Sequence, residues 1–400
     1  MAALLAAAAG HFAIAVWLFN RLHAVAWPRP VIKFLEKLLL VVAASVLALF
    51  VLRSLLGRPL FFGPGALRTV GQGILTAYVA ACWLAALMAI PLWLVPKLRE
   101  RTPGCLASND TTVVDVAERL GFRPVHGPQA QFFAGLPGNQ LLTIAVQRKS
   151  LRMPGLPPEL SGLSIAHLSD LHMTGEVGRE FYDVAVDETN ALNADLVVIT
   201  GDILEKEKCL PWIASTLGRL KARHGKYFIL GNHEMRLHDV APLRQTLRDA
   251  GFTNLGGKTD LLAINGVNVL LAGNELPWFG VAPDVERGAR NSERGVTEGS
   301  SPRFRILLSH TPDQLPWARS RAFDLMLAGH NHGGQIRLPF LGALIAPSRY
   351  GFRYAGGLYF EPPTLLHVSR GLGGIHPIRL NCPPELALLV LTNDTSLKGK

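Results

Sequence analysis

Long apolar runs fill the first quarter of the chain, and shorter ones alternate with polar residues over the rest. Three early runs approach the roughly 20 residues that cross a bilayer core. They are Ala2 to Phe19, Leu38 to Leu56 and Ile74 to Val95. The second is uninterrupted only to Leu52, so Arg53 must reach toward the head groups if the helix continues. No amphipathic period breaks the runs, which favours three transmembrane helices within residues 1–96 over buried core helices.

The pattern changes near Asn139 to short apolar runs, rich in β-branched residues. These predict the strands LLTIAV, LSIAHLS, DLVVIT, KYFILG, NVLLAG, FRILLS, FDLMLAG, TLLHVS and LALLVLT. Helical periodicity fills gaps between them, at 179–192, 211–222, 239–250 and 311–319. Alternating strands and helices predict a layered α/β domain over residues 139–400, with its β-sheet buried under helices.

Two segments lack this alternation. Residues 97–138 contain several Pro and Gly and a short helix-like stretch at 112–120, and they are predicted to be a connector. The stretch from Pro283 to Arg303 is rich in charge, Gly and Ser. It is predicted to be a mobile surface loop that could lie over a site.

The formal charge of +10 is concentrated in the apolar region. Residues 1–100 hold nine Lys or Arg against two Glu, whereas the rest holds 31 basic and 28 acidic residues. The basic residues therefore flank the membrane runs, and no cluster of them with aromatic residues predicts specific nucleic-acid binding. Their distribution predicts a multi-pass membrane protein with an external N-terminus and a cytoplasmic C-terminal domain. The four cysteines show no CxxC spacing, so neither a disulfide framework nor a thiolate metal site is predicted.

Five of the predicted strands are followed by Asp, Asn or His. The sequences are DLH (Asp170, His172), GDILE (Asp202, Glu205), NHE (Asn232, His233), HTPD (His310) and HNHGGQ (His330, His332). Any one of them is typical of a turn. Five on one sheet would gather carboxylates, an amide and imidazoles in one small volume, where a cation is needed to balance them. The other histidines of this domain are interpreted as exposed or capping residues: His167, His224, His238, His367 and His376.

The ligand types limit which metals can bind at this site. Nitrogen and oxygen ligands without thiolate suit Mn, Fe, Zn or Ni. Seven ligands drawn from these residues would exceed the needs of one ion, whereas two ions that share a carboxylate would use all seven. The HxH of a cupin would be followed by an acid, which Gly333 to Pro339 lacks. An amidohydrolase would carry HxH on its first strand, and an HNH nuclease spaces its histidines widely.

The ordered series DLH, GDILE, GNHE, SHTPD and GHNHGGQ resembles the signature of the calcineurin-like metallophosphoesterases, over about Leu151 to Thr392. The tail LLHVSRGLGGIHPIRLNCPPELALLVL resembles the membrane-associated bacterial subgroup of that family. The resemblance implies an α/β fold in which a layered β-sandwich is flanked by helices, here preceded by the all-α transmembrane region.

The resemblance also implies a role for each residue. One metal would be held by Asp170, His172 and His332, a second by Asn232, His310 and His330, and Asp202 would bridge them. His233 would face the phosphate without binding metal, oriented by Glu205, where the family often has Asp. Gly333 and Gly334 would let their loop pass close to the metals.

The implied reaction is hydrolysis of a phosphodiester, pyrophosphate or phosphomonoester by a metal-activated hydroxide. The membrane runs favour a lipid-linked substrate such as UDP-diacylglucosamine, with Trp278 and Phe279 as candidates to receive an acyl chain. Two alternatives are an anchored phosphodiesterase of soluble nucleotides and a catalytically inactive membrane scaffold, although a scaffold would normally have lost ligands.

Overall fold

A computed structural model describes residues 2–56, 65–99, 104–288, 302–374 and 376–393. The chain divides into two compact units, Met1–Arg101 and Thr102–Lys400. The first unit consists of the helices α1 (Ala2–Leu22), α2 (Arg29–Leu56) and α3 (Gly65–Arg99). The described part of the second unit carries fifteen strands and seven α-helices.

Two stretches of the first unit, Leu5–Leu22 and Gly71–Leu92, are long and apolar enough to cross a membrane. They correspond to the first and third predicted spans. The second predicted span, within α2, is not one of the stretches found among the described residues, and it stays a prediction. Many apolar side chains of this unit are exposed, including Leu87 and Ile90 of α3.

The helices of the second unit are short. They are α4 (Val116–Leu120), α5 (Pro128–Ala134), α6 (Arg179–Ala191), α7 (Leu210–Ser215), α8 (Ala241–Asp249), α9 (Val285–Gly288) and α10 (Leu315–Ser320). The strands are β1 (Leu106–Asp115), β2 (Thr143–Arg152), β3 (Ser164–Leu168), β4 (Leu196–Thr200), β5 (Gly225–Ile229), β6 (Phe252–Asn254), β7 (Thr259–Ile264), β8 (Val267–Asn274), β9 (Phe304–Ser309), β10 (Leu325–Ala328), β11 (Arg337–Leu338), β12 (Gly342–Ala343), β13 (Gly357–Glu361), β14 (Thr364–Val368) and β15 (Glu385–Thr392).

Two mixed sheets and a small hairpin contain all these strands. The first sheet has the order β1-β2-β15-β3-β4-β5-β6, and the second has the order β13-β14-β10-β9-β8-β7. Within them, β3, β4, β5 and β6 run parallel, as do β8, β9, β10 and β14. The strands β11 and β12 pair only with each other.

The two sheets pack face to face as a sandwich. Alternate residues of both sheets, among them Ile165 of β3 and Ile306 of β9, share one buried apolar cluster. The opposite face of the first sheet packs against α6, α7 and α8, and that of the second packs against α10. The layers are therefore helix, sheet, sheet and helix, which confirms the expected layered β-sandwich with flanking helices.

All nine predicted strands are present, and each of the four predicted helical segments contains a helix, although α7 and α10 are shorter than predicted. The segment predicted as a connector, 97–138, differs from that expectation. Its strand β1 pairs antiparallel with β2 over nearly its whole length, so residues 106–115 form an edge of the first sheet. Eight of its ten residues are exposed, which hid the alternation that predicts a strand. Residues 289–301 of the predicted mobile loop lie outside the described part of the chain.

Candidate metal centre

The predicted ligands lie just beyond the carboxyl ends of β3, β4, β5, β9 and β10. Because these strands run parallel within their own sheets, their ends bring the following loops to one rim of the sandwich. The loops after β3 and β4 bond directly: the Asp170 and His172 N–H groups donate to the Gly201 and Asp202 carbonyl oxygens at 3.0 and 2.9 Å. Main-chain hydrogen bonds therefore join these two loops of the rim directly.

Five of the seven candidate ligands have a left-handed backbone. The φ angles are +51° at Asp170, +45° at His172, +52° at Asp202, +72° at His330 and +50° at His332. Such residues cost energy and persist only where their surroundings hold them. Their concentration at this rim therefore indicates that the surrounding fold holds these five residues in place.

The first group of donors consists of Asp170, His172, Asp202 and His332, with ligand atoms within 4.8 Å of one another. Nε2 of His172 lies 3.1 Å from Nε2 of His332 and 3.5 Å from Oδ2 of Asp202. Oδ1 of Asp170 lies 3.6 Å from Nε2 of His332. All four residues were predicted as ligands, and the structure brings them together.

The second group consists of Asp202, His310 and His330, with Asn232 beside them. Nδ1 of His310 lies 2.7 Å from the Thr200 carbonyl oxygen, so this nitrogen is the donor and Nε2 faces the site. Nε2 then meets three acceptors: Oδ1 of Asn232 at 3.1 Å, Nδ1 of His330 at 3.1 Å and Oδ2 of Asp202 at 3.3 Å. One proton satisfies one of them, whereas a cation satisfies all. The donor set therefore fits a divalent metal.

Asp202 belongs to both groups. Its Oδ2 lies between His172 and His310, and its Oδ1 accepts a hydrogen bond from the His233 N–H at 2.8 Å. The carboxylate is almost wholly buried. Burial raises its pKa, but His310 and His233 outweigh this and hold the pKa of Asp202 well below the usual range. The charged form is thus maintained where cations would bind.

The pKa values of the candidate histidine ligands shift in opposite directions. Burial lowers the pKa of His310, but the charge of Asp202 more than offsets it and raises the pKa to about 9. Burial, aided by neighbouring cations, lowers the pKa of His330 and His332 well below the usual value. These two imidazoles are therefore neutral at pH 7, the form that binds metal.

Glu205 and His233 form a third group with His172. Oε2 of Glu205 lies 2.5 Å from Nδ1 of His233 and 3.4 Å from Nδ1 of His172. Arg236 bonds the other oxygen of Glu205, and its Nη2 lies 3.1 Å from Nε2 of His233. Glu205 thus contacts His233 as expected, and Arg236 is a cation of the site that sequence reasoning missed.

Glu234 is a second residue missed by sequence reasoning. Its buried carboxylate accepts hydrogen bonds from the N–H groups of Asp202, Ile203, Leu204 and Gly231, at 2.6 to 3.1 Å. It therefore holds the turns after β4 and β5 together. Burial, with the nearby charge of Asp202, raises the pKa of Glu234 to about 7 against the effect of these donors. Its place directly after Asn232 and His233 was the available signal.

The glycines next to the site differ from the prediction. A Cβ at Gly333 would lie 2.6 Å from Sγ of Cys382, and one at Gly334 would lie 2.4 Å from Cβ of Ala343. These glycines therefore allow close packing of their loop against Cys382, which precedes β15, and against Ala343 of β12. A close approach to the ligands occurs at Gly231, where a Cβ would lie 2.4 Å from Oδ1 of Asp202, and at Gly329, where it would lie 2.3 Å from Oδ2 of Asp170.

Trp278 borders the second group. Its ring centroid lies 5.4 Å from that of His310 and 5.1 Å from that of His330. The indole therefore covers two candidate ligands, whereas Phe279 packs partly against the helix side of the first sheet.

A buried polar chain runs from the inter-sheet core to the metal centre. Nζ of Lys149 lies 2.5 Å from Oε1 of Glu385 and 3.0 Å from Nε2 of His367, whose Nδ1 lies 2.9 Å from Nδ1 of His167. Nε2 of His167 lies 2.9 Å from Oγ1 of Thr200, the residue whose carbonyl binds His310. The interpretation of His167 and His367 as exposed or capping residues was wrong, because both are completely buried. His224, His238 and His376 are exposed.

Comparisons with known proteins agree with this geometry. The family model for the calcineurin-like phosphoesterases matches residues 163–334. The metallophosphoesterase YkuE of Bacillus subtilis is 31% identical over 241 residues, which cover 59% of this chain and 81% of YkuE. The phosphodiesterase YaeI of Escherichia coli is 29% identical over 57% of this chain and 81% of its own length. A bovine transmembrane protein with a metallophosphoesterase domain is 31% identical over 70% of this chain and 64% of its own length. This chain belongs to the calcineurin-like phosphoesterase family and is a metal-dependent phosphoester hydrolase.

Proposed function

We propose that the chain is a membrane-anchored phosphoesterase that uses two divalent ions, of Mn, Fe, Zn or Ni, and acts on a lipid-linked phosphoester. The observation that carries this proposal is the position of Asp202, whose Oδ2 lies 3.5 Å from His172 and 3.3 Å from His310. A carboxylate shared by two groups of nitrogen and oxygen donors suits a bridging ligand. Asp170, His172 and His332 would complete the ligand set of one ion. Asn232, His310 and His330 would complete that of the other.

The chemistry divides between the ions and the protein. Bound divalent ions would acidify a water and withdraw charge from the phosphoryl oxygens. His233 would stabilise the charge that develops on the leaving oxygen, and it would donate a proton there once Nε2, which accepts from Arg236 in this structure, has taken one up. Glu205 would orient His233, and Arg236 would bind a phosphoryl oxygen, since guanidinium groups match phosphate geometry. No side chain needs to act as a nucleophile in this scheme.

Residues 139–400, with β1 added to their first sheet, would carry out the catalysis. Residues 1–96 would anchor the chain in the membrane. This anchorage is supported by the two stretches long enough to cross a bilayer and by relatives named as transmembrane proteins. A multi-pass arrangement with the catalytic unit on the cytoplasmic side follows from the flanking basic residues. A lipid-linked substrate is favoured because an anchored enzyme meets amphiphiles at high local concentration. Anchored hydrolysis of soluble nucleotides is the second candidate.

The test begins with the full chain purified in detergent. Hydrolysis of bis-p-nitrophenyl phosphate and p-nitrophenyl phosphate is measured with added Mn, and bound metal is quantified. We expect two ions per chain and hydrolysis of the diester, both lost in Asp202→Ala and kept in the exposed control Asp249→Ala. Equal activity in wild type and Asp202→Ala would refute the bridging role. A chain that binds no metal and hydrolyses neither ester would support an inactive scaffold.

The substrate class is tested next with wild-type protein. Turnover of UDP-diacylglucosamine in mixed micelles is compared with turnover of soluble nucleotide diesters at matched phosphoester concentration. We expect the larger kcat/KM for the lipid-linked compound. A larger value for the soluble nucleotides would support the second candidate.

A further inference from the structure

An exposed apolar projection follows the metal centre directly. Residues 336–345, here called the apolar hairpin, contain β11, β12 and the turn between them, and begin four residues after His332. Phe340 at the turn is 94% exposed, the largest exposure among the large apolar side chains described in this unit. Four further large apolar side chains of the hairpin are also exposed: Ile336, Leu338, Leu341 and Ile345. Apolar side chains concentrated in this way mark an interaction surface.

The base of the hairpin is held firmly. Nε2 of Gln335 donates to the His376 and Ile378 carbonyl oxygens at 2.8 and 2.9 Å. The Arg337 N–H donates to the Leu380 carbonyl oxygen at 2.9 Å, and Nδ2 of Asn381 donates to the Arg337 carbonyl oxygen at 2.9 Å. These bonds fix the hairpin to the segment that precedes β15. Its tip is therefore presented in a set direction, next to the loop that carries His330 and His332.

The composition of the hairpin indicates which kind of surface it contacts. Its sequence, IRLPFLGALI, contains one basic residue, Arg337, and no acid. The side chain of Arg349, four residues further on, is 59% exposed. Aromatic and aliphatic residues together with Arg suit the boundary between head groups and acyl chains, particularly in an anionic membrane. The same chain carries two stretches that can cross a bilayer, and the proposed anchorage would tether this unit to a lipid surface.

We infer that the apolar hairpin inserts into the head-group boundary of a lipid bilayer and so holds the metal centre at the membrane surface. Phe340 and Leu341 would enter the lipid, and Arg337 would meet anionic head groups. A phosphoester in a lipid head group would then reach the site without leaving the bilayer. This inference rests on the proposed anchorage, but not on which phosphoester is cleaved.

The experiment uses the full chain with a single environment-sensitive label. Cys82, Cys105, Cys209 and Cys382 are all buried, so a thiol reagent should react selectively with an introduced cysteine. The variants are Phe340→Cys in the hairpin, Leu87→Cys as the membrane reference and Arg248→Cys on α8 as the exposed reference. Each is reconstituted into nanodiscs of phosphatidylcholine and phosphatidylglycerol in equal parts. Quenching by doxyl groups on the acyl chains is compared with quenching by aqueous iodide.

We expect the label at 340 to behave like that at 87, with strong quenching by lipid and weak quenching by iodide. Strong iodide quenching at 340, as at 248, would overturn the inference. Protection from both quenchers would also overturn it, because a second copy or another segment of this chain would then cover the hairpin. If the label at 87 escapes lipid quenching, the anchorage itself is wrong and the inference fails with it. Hydrolysis of bis-p-nitrophenyl phosphate by each labelled protein tests the proposed chemistry separately.

Discussion

Oε2 of Glu205 lies 2.5 Å from Nδ1 of His233, while its other oxygen bonds Arg236. The longer arm of Glu, compared with the Asp common in the family, therefore still reaches the histidine. Burial raises the pKa of Glu205, but hydrogen bonds from His172 and His233 and the charge of Arg236 lower it well below the usual range. One charged carboxylate thus contacts the proposed proton donor, a candidate ligand and a candidate phosphate-binding group.

We expect Glu205→Ala to reduce kcat for the diester by about 10²-fold, because His233 loses the partner that orients it. Glu205→Gln should retain more activity, since an amide oxygen can still accept from Nδ1. Metal content is measured in parallel, because Glu205 also lies 3.4 Å from His172. Wild-type kcat in Glu205→Ala would show that His233 needs no such partner.

Glu234→Gln should weaken metal binding by about 10-fold, as expected when a group that orients ligands is altered. The amide keeps one acceptor oxygen but turns a donor toward backbone N–H groups that Glu234 now binds. The turn that carries Asp202 should loosen. Mn titration of the metal-free protein measures the effect. Glu207→Gln is a matched control, since Glu207 accepts the His238 N–H at an exposed position and its replacement should leave affinity unchanged.

Gly231→Ala should abolish hydrolysis of the diester and reduce metal content. The new Cβ would lie 2.4 Å from Oδ1 of Asp202 and 2.7 Å from Nε2 of His310, so one of these side chains must move. Gly218→Ala provides the comparison, because its Cβ would meet no atom closer than 3.7 Å. Comparable metal content and activity in the two variants would contradict this account of the site.

Lys149→Met should lower the free energy of unfolding by about 3–5 kcal/mol, because it leaves the charge of Glu385 buried with less compensation. The side chains of this ion pair are 6% and 1% exposed. Arg370 still contacts Glu385 through Nε at 3.0 Å, which favours the lower end of the range. Denaturant unfolding of the detergent-solubilised chain measures the change, with the exposed Lys258→Met as control. A loss below about 1 kcal/mol would mean that Arg370 alone balances Glu385.

His367 should make the fold less stable in mild acid. Burial and the charge of Lys149 lower its pKa from 6.5 to about 4. Between these values the unfolded chain binds a proton that the folded chain excludes, so stability falls as pH falls from 6.5 to about 4, and above 6.5 the group contributes nothing. Unfolding midpoints across this range should vary less in His367→Gln than in wild type. His376→Gln, at an exposed position, should leave the pH dependence unchanged.

The sequence by itself determined the strands of the sandwich and the polar residues at their ends. Buried strands need continuous apolar runs, and a polar residue directly after such a run in a parallel sheet must lie at one rim. Asp170 and Asp202 could therefore be placed together from local pattern alone, whereas His310 follows a strand of the other sheet and joins them through the packing of the two sheets. His167 lies two residues after Ile165 in β3 and therefore on the same inward face of the sheet. Its burial follows from that alternation, but the sequence gave no sign that it would meet His367 of the other sheet.

Only the tertiary structure decided which atoms face one another. The left-handed backbone at five candidate ligands and the hydrogen bonds of Glu234 depend on loops held by distant strands. The sequence signals Glu234 only by its place directly after Asn232 and His233. Strand β1 was missed because its exposed edge lacks an apolar face, and its place is set by pairing with β2. The apolar hairpin is an apolar run in the sequence, yet most of its large side chains are exposed in the fold, because β11 and β12 pair with neither of the two sheets. Local pattern fixes which residues are buried along an element, whereas contacts between elements decide what those residues meet.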